Sequence, residues 1–153
     1  MRVKELLKLT WPKVDEKAGL IRLKAADVKE NAPRLVPISP ALQAVLDELK
    51  QEQKHAKVAN LSQRVFTDHK ARPIETIRRA FELAREKAKV EDVHLHDFRH
   101  TAITRWAMAG IPPAAIMAAA GHHSLEMHNR YVNLNETHLK KSFRNVPNVF
   151  PRK

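Results

Sequence analysis

HDFRHTAITRWAMAGIPPAAIMAAAGHHSLEMHNRY, residues 96–131, is the stretch on which the reading of this chain turns. It ends on Tyr131, the only tyrosine in 153 residues. Residues 97–109 read as one helix, Gly110 as its stop, Pro113 as the first turn of the next, and Ser124 as the cap of a helix that carries Tyr131. His96 and Arg99 are three apart at a helix start, so their side chains share a face. Arginine offers a planar, bidentate fork suited to phosphate, and a histidine beside it can donate to the same anion or move a proton. The ordinary reading of this spacing is a helix-start histidine with a surface arginine. Gly121 before His122 permits a close approach of two elements. Tyr131 follows Asn129 and Arg130, which points to a polar setting, whereas a lone tyrosine is as a rule a core residue with its hydroxyl satisfied.

The histidines also raise a metal site. His94 and His96 are two apart and diverge on a helix, and the adjacent His122 and His123 diverge as well. There is no H-E-x-x-H and no cysteine, so zinc lacks a recognised ligand arrangement. No metal and no cofactor is expected. Without cysteine, thiol catalysis and disulfides are excluded too, which fits a reducing cytoplasm.

Lys and Arg number 28 against 17 Asp and Glu, a net charge of +11. Such a surplus favours a polyanion, nucleic acid before an anionic membrane. The charged start, MRVKELLKL, does not read as a signal peptide. The longest uncharged stretch, WAMAGIPPAAIMAAAG, is mostly alanine, broken by Gly110, Pro112 and Pro113, and too short to span a bilayer. No membrane partner is expected.

Upstream, Val3, Leu6 and Leu7 mark a short helix. LTWPKVD, GLIRLKA and PRLVPIS read as three short strands separated by turn residues at 15–19 and 31–33. Ser39 before Pro40 is a helix start, followed by Leu42, Val45, Leu46 and Leu49 at helical spacing. Ile74, Ile77, Phe81 and Ala84 mark another helix. Asn135 can cap a last one with Leu139 and Phe143 inward. The expected class is α+β and predominantly α-helical, one domain over residues 1–153, with a small three-stranded antiparallel sheet near the N-terminus.

In this order and spacing the motifs resemble the tyrosine recombinase (phage integrase) catalytic domain. That family carries H-x-x-R, a G-H pair and then a tyrosine. Arg99 and His122 are 23 residues apart, and His122 and Tyr131 are 9 apart, counted from their positions. MRVKELLKLTWPKVD is similar to the family's first-arginine segment, with Arg2 as that arginine and Glu5 as its companion acid. LKAADVKENAPRLVPIS is similar to the hairpin that carries a lysine, which falls on Lys29. The resemblance runs from residue 1 to about residue 143. Ala119 and Ala120 stand where the family often has two leucines, which implies a thinner core there, and Asn133 stands where a histidine is common. Because Arg2 is the second residue, the chain is expected to lack the first helices of the domain and the core-binding domain ahead of it.

The resemblance implies site-specific strand cleavage and rejoining on double-stranded DNA through a 3′-phosphotyrosine, with integration, excision and dimer resolution all open. Its catalytic set would be Arg2, Lys29, His96, Arg99, His122 and Tyr131. Arg2, Arg99 and His122 would hold the phosphate, Lys29 would protonate the departing 5′-hydroxyl, and His96 would assist Tyr131 as base or proton shuttle. Other recombinase protomers in a synaptic complex would be partners, in a bacterial cytoplasm at the nucleoid. The alternative is a truncated, inactive DNA-binding module of the same fold. His94, His100, His123 and His128 receive no role in the chemistry, and His100 is expected to pack or hydrogen-bond behind the site.

Overall fold

A computed structural model describes residues 1–28, 31–55, 63–122, Ser124 and Glu126. The chain opens with α1, Val3–Leu7, whose first turn is closed by Glu5: its carboxylate accepts the backbone N–H of Arg2 at 2.7 Å. A 3₁₀ turn at Trp11–Lys13, begun around Pro12, leads into an antiparallel sheet of β1 (Val14–Asp15), β2 (Leu20–Leu23) and β3 (Arg34–Pro37), in that order. Ile21 pairs with Val14 on one side and Val36 on the other, and Leu23 with Arg34. Successive side chains alternate between faces. Ile21, Leu23 and Val36 are buried while Arg22 and Leu35 are exposed. The same alternation puts Arg34 on the inner face, where it is only 9% exposed.

The loop from β2 to β3 is pinned at its start. A 3₁₀ turn at Ala25–Asp27 presents Asp27 to the Lys13 ammonium at 2.6 Å and to the backbone N–H of Lys24 at 2.9 Å. Burial raises the Asp27 pKa, but those two hydrogen bonds outweigh it and hold the carboxyl below its usual range. Val28 then drops into the core. Lys29 lies outside the described residues.

Helix α2, Pro40–His55, begins at Ser39, whose hydroxyl accepts the N–H of Leu42. Leu46 is fully buried, and Leu42 and Leu49 pack on the same core. Val45 was expected to join them but is 47% exposed, because it sits one residue off the i, i+4, i+7 row that faces the sheet. Gln53 ties the far end of α2 to residues 63–67. Its carbonyl accepts the Trp11 indole N–H at 2.8 Å, and its amide donates to the carbonyls of Arg64 and Val65 and to the Thr67 hydroxyl. Val65 is buried and bonds the carbonyl of Leu9.

The remaining helices are α3 (Arg78–Ala88), α4 (Leu95–Met108) and α5 (Pro113–Ala120). Helix α3 starts later than the apolar spacing predicts: Ile74 precedes it, bonded to the carbonyl of Phe66, and Ala84 is exposed. Helix α4 starts two residues earlier than expected, because Asp97 accepts the N–H of His94 at 2.7 Å and makes His94 the cap. Gly110, at φ +79°, ends the turn after α4, and Pro113 opens α5 as expected. The expected helices carrying Tyr131 and starting at Asn135 lie outside the described residues.

Two cores result. The larger joins Leu9, Ile21, Leu23, Val28, Val36, Leu46 and Val65 between sheet and α2. The smaller joins Ile103, Ile116 and Ala120 between α4 and α5. An apolar cavity of about 740 Å³ separates them, with Leu42, Phe66, Phe98, Trp106 and Ala119 on its walls. No helix among the described residues is long and apolar enough to cross a membrane.

Gln53→Leu keeps the volume of the side chain but leaves the indole and two carbonyls without their partner. We expect it to lower stability by about 1–3 kcal/mol. An unchanged midpoint in urea unfolding would show that the clamp contributes nothing.

Candidate DNA-phosphate site

The site is assembled from one end of each of four elements. From α1 comes Arg2, whose guanidinium lies 3.5 Å from Glu5 Oε1. Glu5 is itself buried, and its other oxygen takes a short hydrogen bond from Nη2 of Arg34 on β3. One carboxylate thus serves two arginines, and both side chains of the Glu5–Arg34 pair are about 5–6% exposed. A buried ion costs several kcal/mol unless paired and hydrogen-bonded, so loss of one partner is costly for the other.

Arg34 also meets the end of α5. Gly121 stops that helix in the left-handed conformation, at φ +76°, and its N–H and that of His122 both bond the carbonyl of Met117. A Cβ built on Gly121 would overlap Nη1 of Arg34 and lie 3.1 Å from its Cζ. Glycine is required here twice, for the backbone angle and for the guanidinium lying across it. His122 follows at once and is 7% exposed. A small cavity of about 170 Å³ opens beside Arg34, Gly121 and His122.

Arg99 arrives from α4. Its Nη2 donates to the carbonyl of Ala120 at 2.7 Å, two residues before His122. That bond satisfies one of the carbonyls left over at the end of α5 and fixes the guanidinium beside the Gly-His pair. His96 is exposed one turn earlier on the same face, its ring edge-on to His100 with centroids 4.8 Å apart. It titrates below the ordinary value of 6.5, first through partial desolvation and then through the positive charges of His100, Arg99 and Arg2. The Met1 amine is lowered to about 6, chiefly by burial and then by Arg99 and Arg34. Burial leads in both shifts, and the smaller contributions come from cations on α1 and α4, with Arg34 of β3 acting on the Met1 amine.

Of the six residues expected from sequence, Arg2, His96 and Arg99 line the large cavity, and His122 lines the small one with Arg34 and Gly121. Lys29 and Tyr131 lie outside the described residues. Sequence reasoning named Glu5 but missed its partner Arg34. The available signal was the alternation in β3, since placing Val36 inward forces Arg34 inward as well. His100 does not pack behind the site; it is exposed beside His96. His94 serves as the cap of α4. Among the described residues no three histidine, aspartate or glutamate side chains are grouped to hold a metal ion.

A small sheet flanked by helices, with an arginine from α1 and the H-x-x-R and G-H groups converging, is the architecture of a tyrosine recombinase catalytic domain. The chain is similar in fold to XerA recombinase, with a TM-score of 0.73 and 23% identity over 93% of this chain and 50% of that one. It is also similar to XerH site-specific recombinase, solved bound to a palindromic difH substrate in a post-cleavage complex, at TM-score 0.69 and 21% identity over 93% of this chain and 41% of that one. Residues 1–138 match the phage integrase family, and the chain belongs to it. A shufflon-specific DNA recombinase of Escherichia coli is 32% identical over 135 residues, 88% of this chain and 32% of the relative. The integrase of Salmonella phage P22 is 34% identical over 71 residues, 46% of this chain and 18% of the relative. The chain therefore spans about a third or less of these relatives' length.

The lowered pKa of His96 gives a direct check. Because folding favours the neutral ring, its contribution to stability is complete above the unfolded value of 6.5 and is lost as pH falls through the lowered folded value. Titration of the imidazole by NMR should give a pKa below 6.5, rising in Arg99→Gln. A value at or above 6.5 in the unaltered protein would show that the cations do not face this ring.

Proposed function

We propose that this chain is the strand-transfer part of a site-specific DNA recombinase or integrase. It cuts and rejoins duplex DNA through a 3′-phosphotyrosine at Tyr131. The observation that carries the reading is a chain of contacts that links four elements: Arg2 and Arg34 share the Glu5 carboxylate, Arg34 lies across Gly121 just before His122, and Arg99 binds the carbonyl of Ala120. An assembly so rich in cations suits an anion, and family membership makes that anion a DNA phosphate.

The chemistry follows from charge. A covalent enzyme–DNA ester conserves the energy of the phosphodiester, so no nucleotide is consumed. A phenol of ordinary pKa, about 10, is ionised about once in a thousand at pH 7, a cost of roughly 4 kcal/mol. The neutral ring of His96 is suited to take up the phenolic proton. As Tyr131 attacks, the phosphorus gains a fifth ligand and negative charge builds on the non-bridging oxygens. Arg2, Arg99 and His122 stabilise that charge as preorganised donors, the role a metal ion plays in many nucleases. Lys29 protonates the leaving 5′-hydroxyl. The reverse attack of a 5′-hydroxyl restores the phosphodiester and frees the tyrosine.

The partners are double-stranded DNA and other recombinase protomers in a synaptic complex, acting at the bacterial nucleoid in the cytoplasm. The surplus of +11 supports the DNA partner. The similarity to a shufflon-specific DNA recombinase and to a phage integrase supports the reaction class.

The test is a nicked suicide duplex. Tyr131→Phe removes one hydroxyl and no charge, so covalent attachment should vanish while non-covalent binding stays within about twofold, since the phosphate contacts of arginine and lysine survive. Arg99→Ala should impair both. Binding without any adduct in the unaltered protein would instead favour an inactive DNA-binding module of the same fold.

A further inference from the structure

Arg34 has no part in the chemistry above, yet it is the most enclosed cation of the site. Its position is unusual for a strand residue. Between Leu23 across the ladder and Val36 two residues on, a charged side chain occupies the inner face of the sheet. It engages Glu5, the same carboxylate that lies 3.5 Å from the Arg2 guanidinium. The two arginines compete for one negative charge, and Arg34 has the closer hold. Its fork is kept in that pose from the other side, because Gly121 leaves it room that any Cβ would take.

We propose that Arg34 is a positioning residue for phosphate binding: by engaging Glu5 it directs the Arg2 guanidinium to DNA phosphate rather than to the acid three residues along α1. Arg2 already pairs with Glu5 across i, i+3, but at 3.5 Å and with the carboxylate shared; without Arg34 that pair takes the whole charge of Glu5 and holds the cation back from the DNA. The inference rests on the DNA-phosphate reading of the site.

The experiment is the salt dependence of duplex DNA binding by the 153-residue chain, which reads the number of phosphate contacts directly. Arg34→Met should reduce the slope of log K against log salt by about 0.9, the value of one lost contact. Adding Glu5→Gln to that variant should restore the original slope, because no carboxylate is left to draw Arg2 away. A purely structural role predicts no such rescue. Arg34→Lys, which keeps a charge for Glu5, should retain the original slope. If Arg34→Met does not fold by circular dichroism, the double variant and Arg34→Lys still decide the matter, since a reduced slope in either overturns the proposal. An unchanged slope in folded Arg34→Met overturns it as well. A wild-type chain that binds DNA with no salt dependence removes the DNA-phosphate reading itself, and the proposal with it.

Discussion

The buried pair of Glu5 and Arg34 is the constraint on which the site depends. The alternation that sends Ile21, Leu23 and Val36 into the core sends Arg34 with them. A guanidinium there requires a carboxylate, and Glu5 supplies it only if α1 lies against the inner face of β3. That requirement fixes the start of α1, and with it Arg2. On its other side Arg34 fits only against a residue without a side chain, which fixes the end of α5 at Gly121, and with it His122. Arg99 completes the arrangement through the carbonyl of Ala120. Each of these candidate groups is therefore set by backbone and buried contacts rather than by its own exposed tip.

The apolar cavity has an electrostatic consequence. Arg2, His96 and Arg99 stand on its rim, beside Leu6, Phe98 and Trp106. Apolar walls exclude water and lower the local dielectric, so an arginine–phosphate contact there is stronger than the same contact in bulk solvent. The division into two cores also separates labour. The sheet core holds Glu5 and Arg34 in place, while the α4–α5 core, built on Ile103, Ile116 and Ala120, holds Arg99 against the Gly-His pair.

Much of this was legible in the sequence where chain punctuation is strong. Ser39-Pro40, Gly110 and Pro113 mark helix ends for steric reasons that no tertiary context overrides, and the structure keeps all three. The three short strands and their antiparallel order were legible for the same reason. Errors arose where adjacent apolar residues left the phase open. Val45 beside Leu46, and Ile74 ahead of α3, were assigned to faces or helices they do not join, because spacing alone does not say which apolar neighbour faces the core. The same ambiguity in Leu35-Val36 hid Arg34: only one of the two can point inward, and the choice of Val36 carries the arginine inside. The groups Arg2, His96, Arg99 and His122 were legible through a family pattern, whereas the ion pair that spaces them was not, since a long-range contact of Glu5 with Arg34 leaves no local signal.

The central claim is that cations gathered by this fold activate a phenol at Tyr131 toward a DNA phosphate. Mass spectrometry of the adduct formed on a nicked suicide duplex, after nuclease and protease digestion, tests it most directly. The account predicts one modified peptide, containing Tyr131 with a nucleotide esterified through its 3′-phosphate. A nucleotide on any other residue, or attached through a 5′-phosphate, would contradict it.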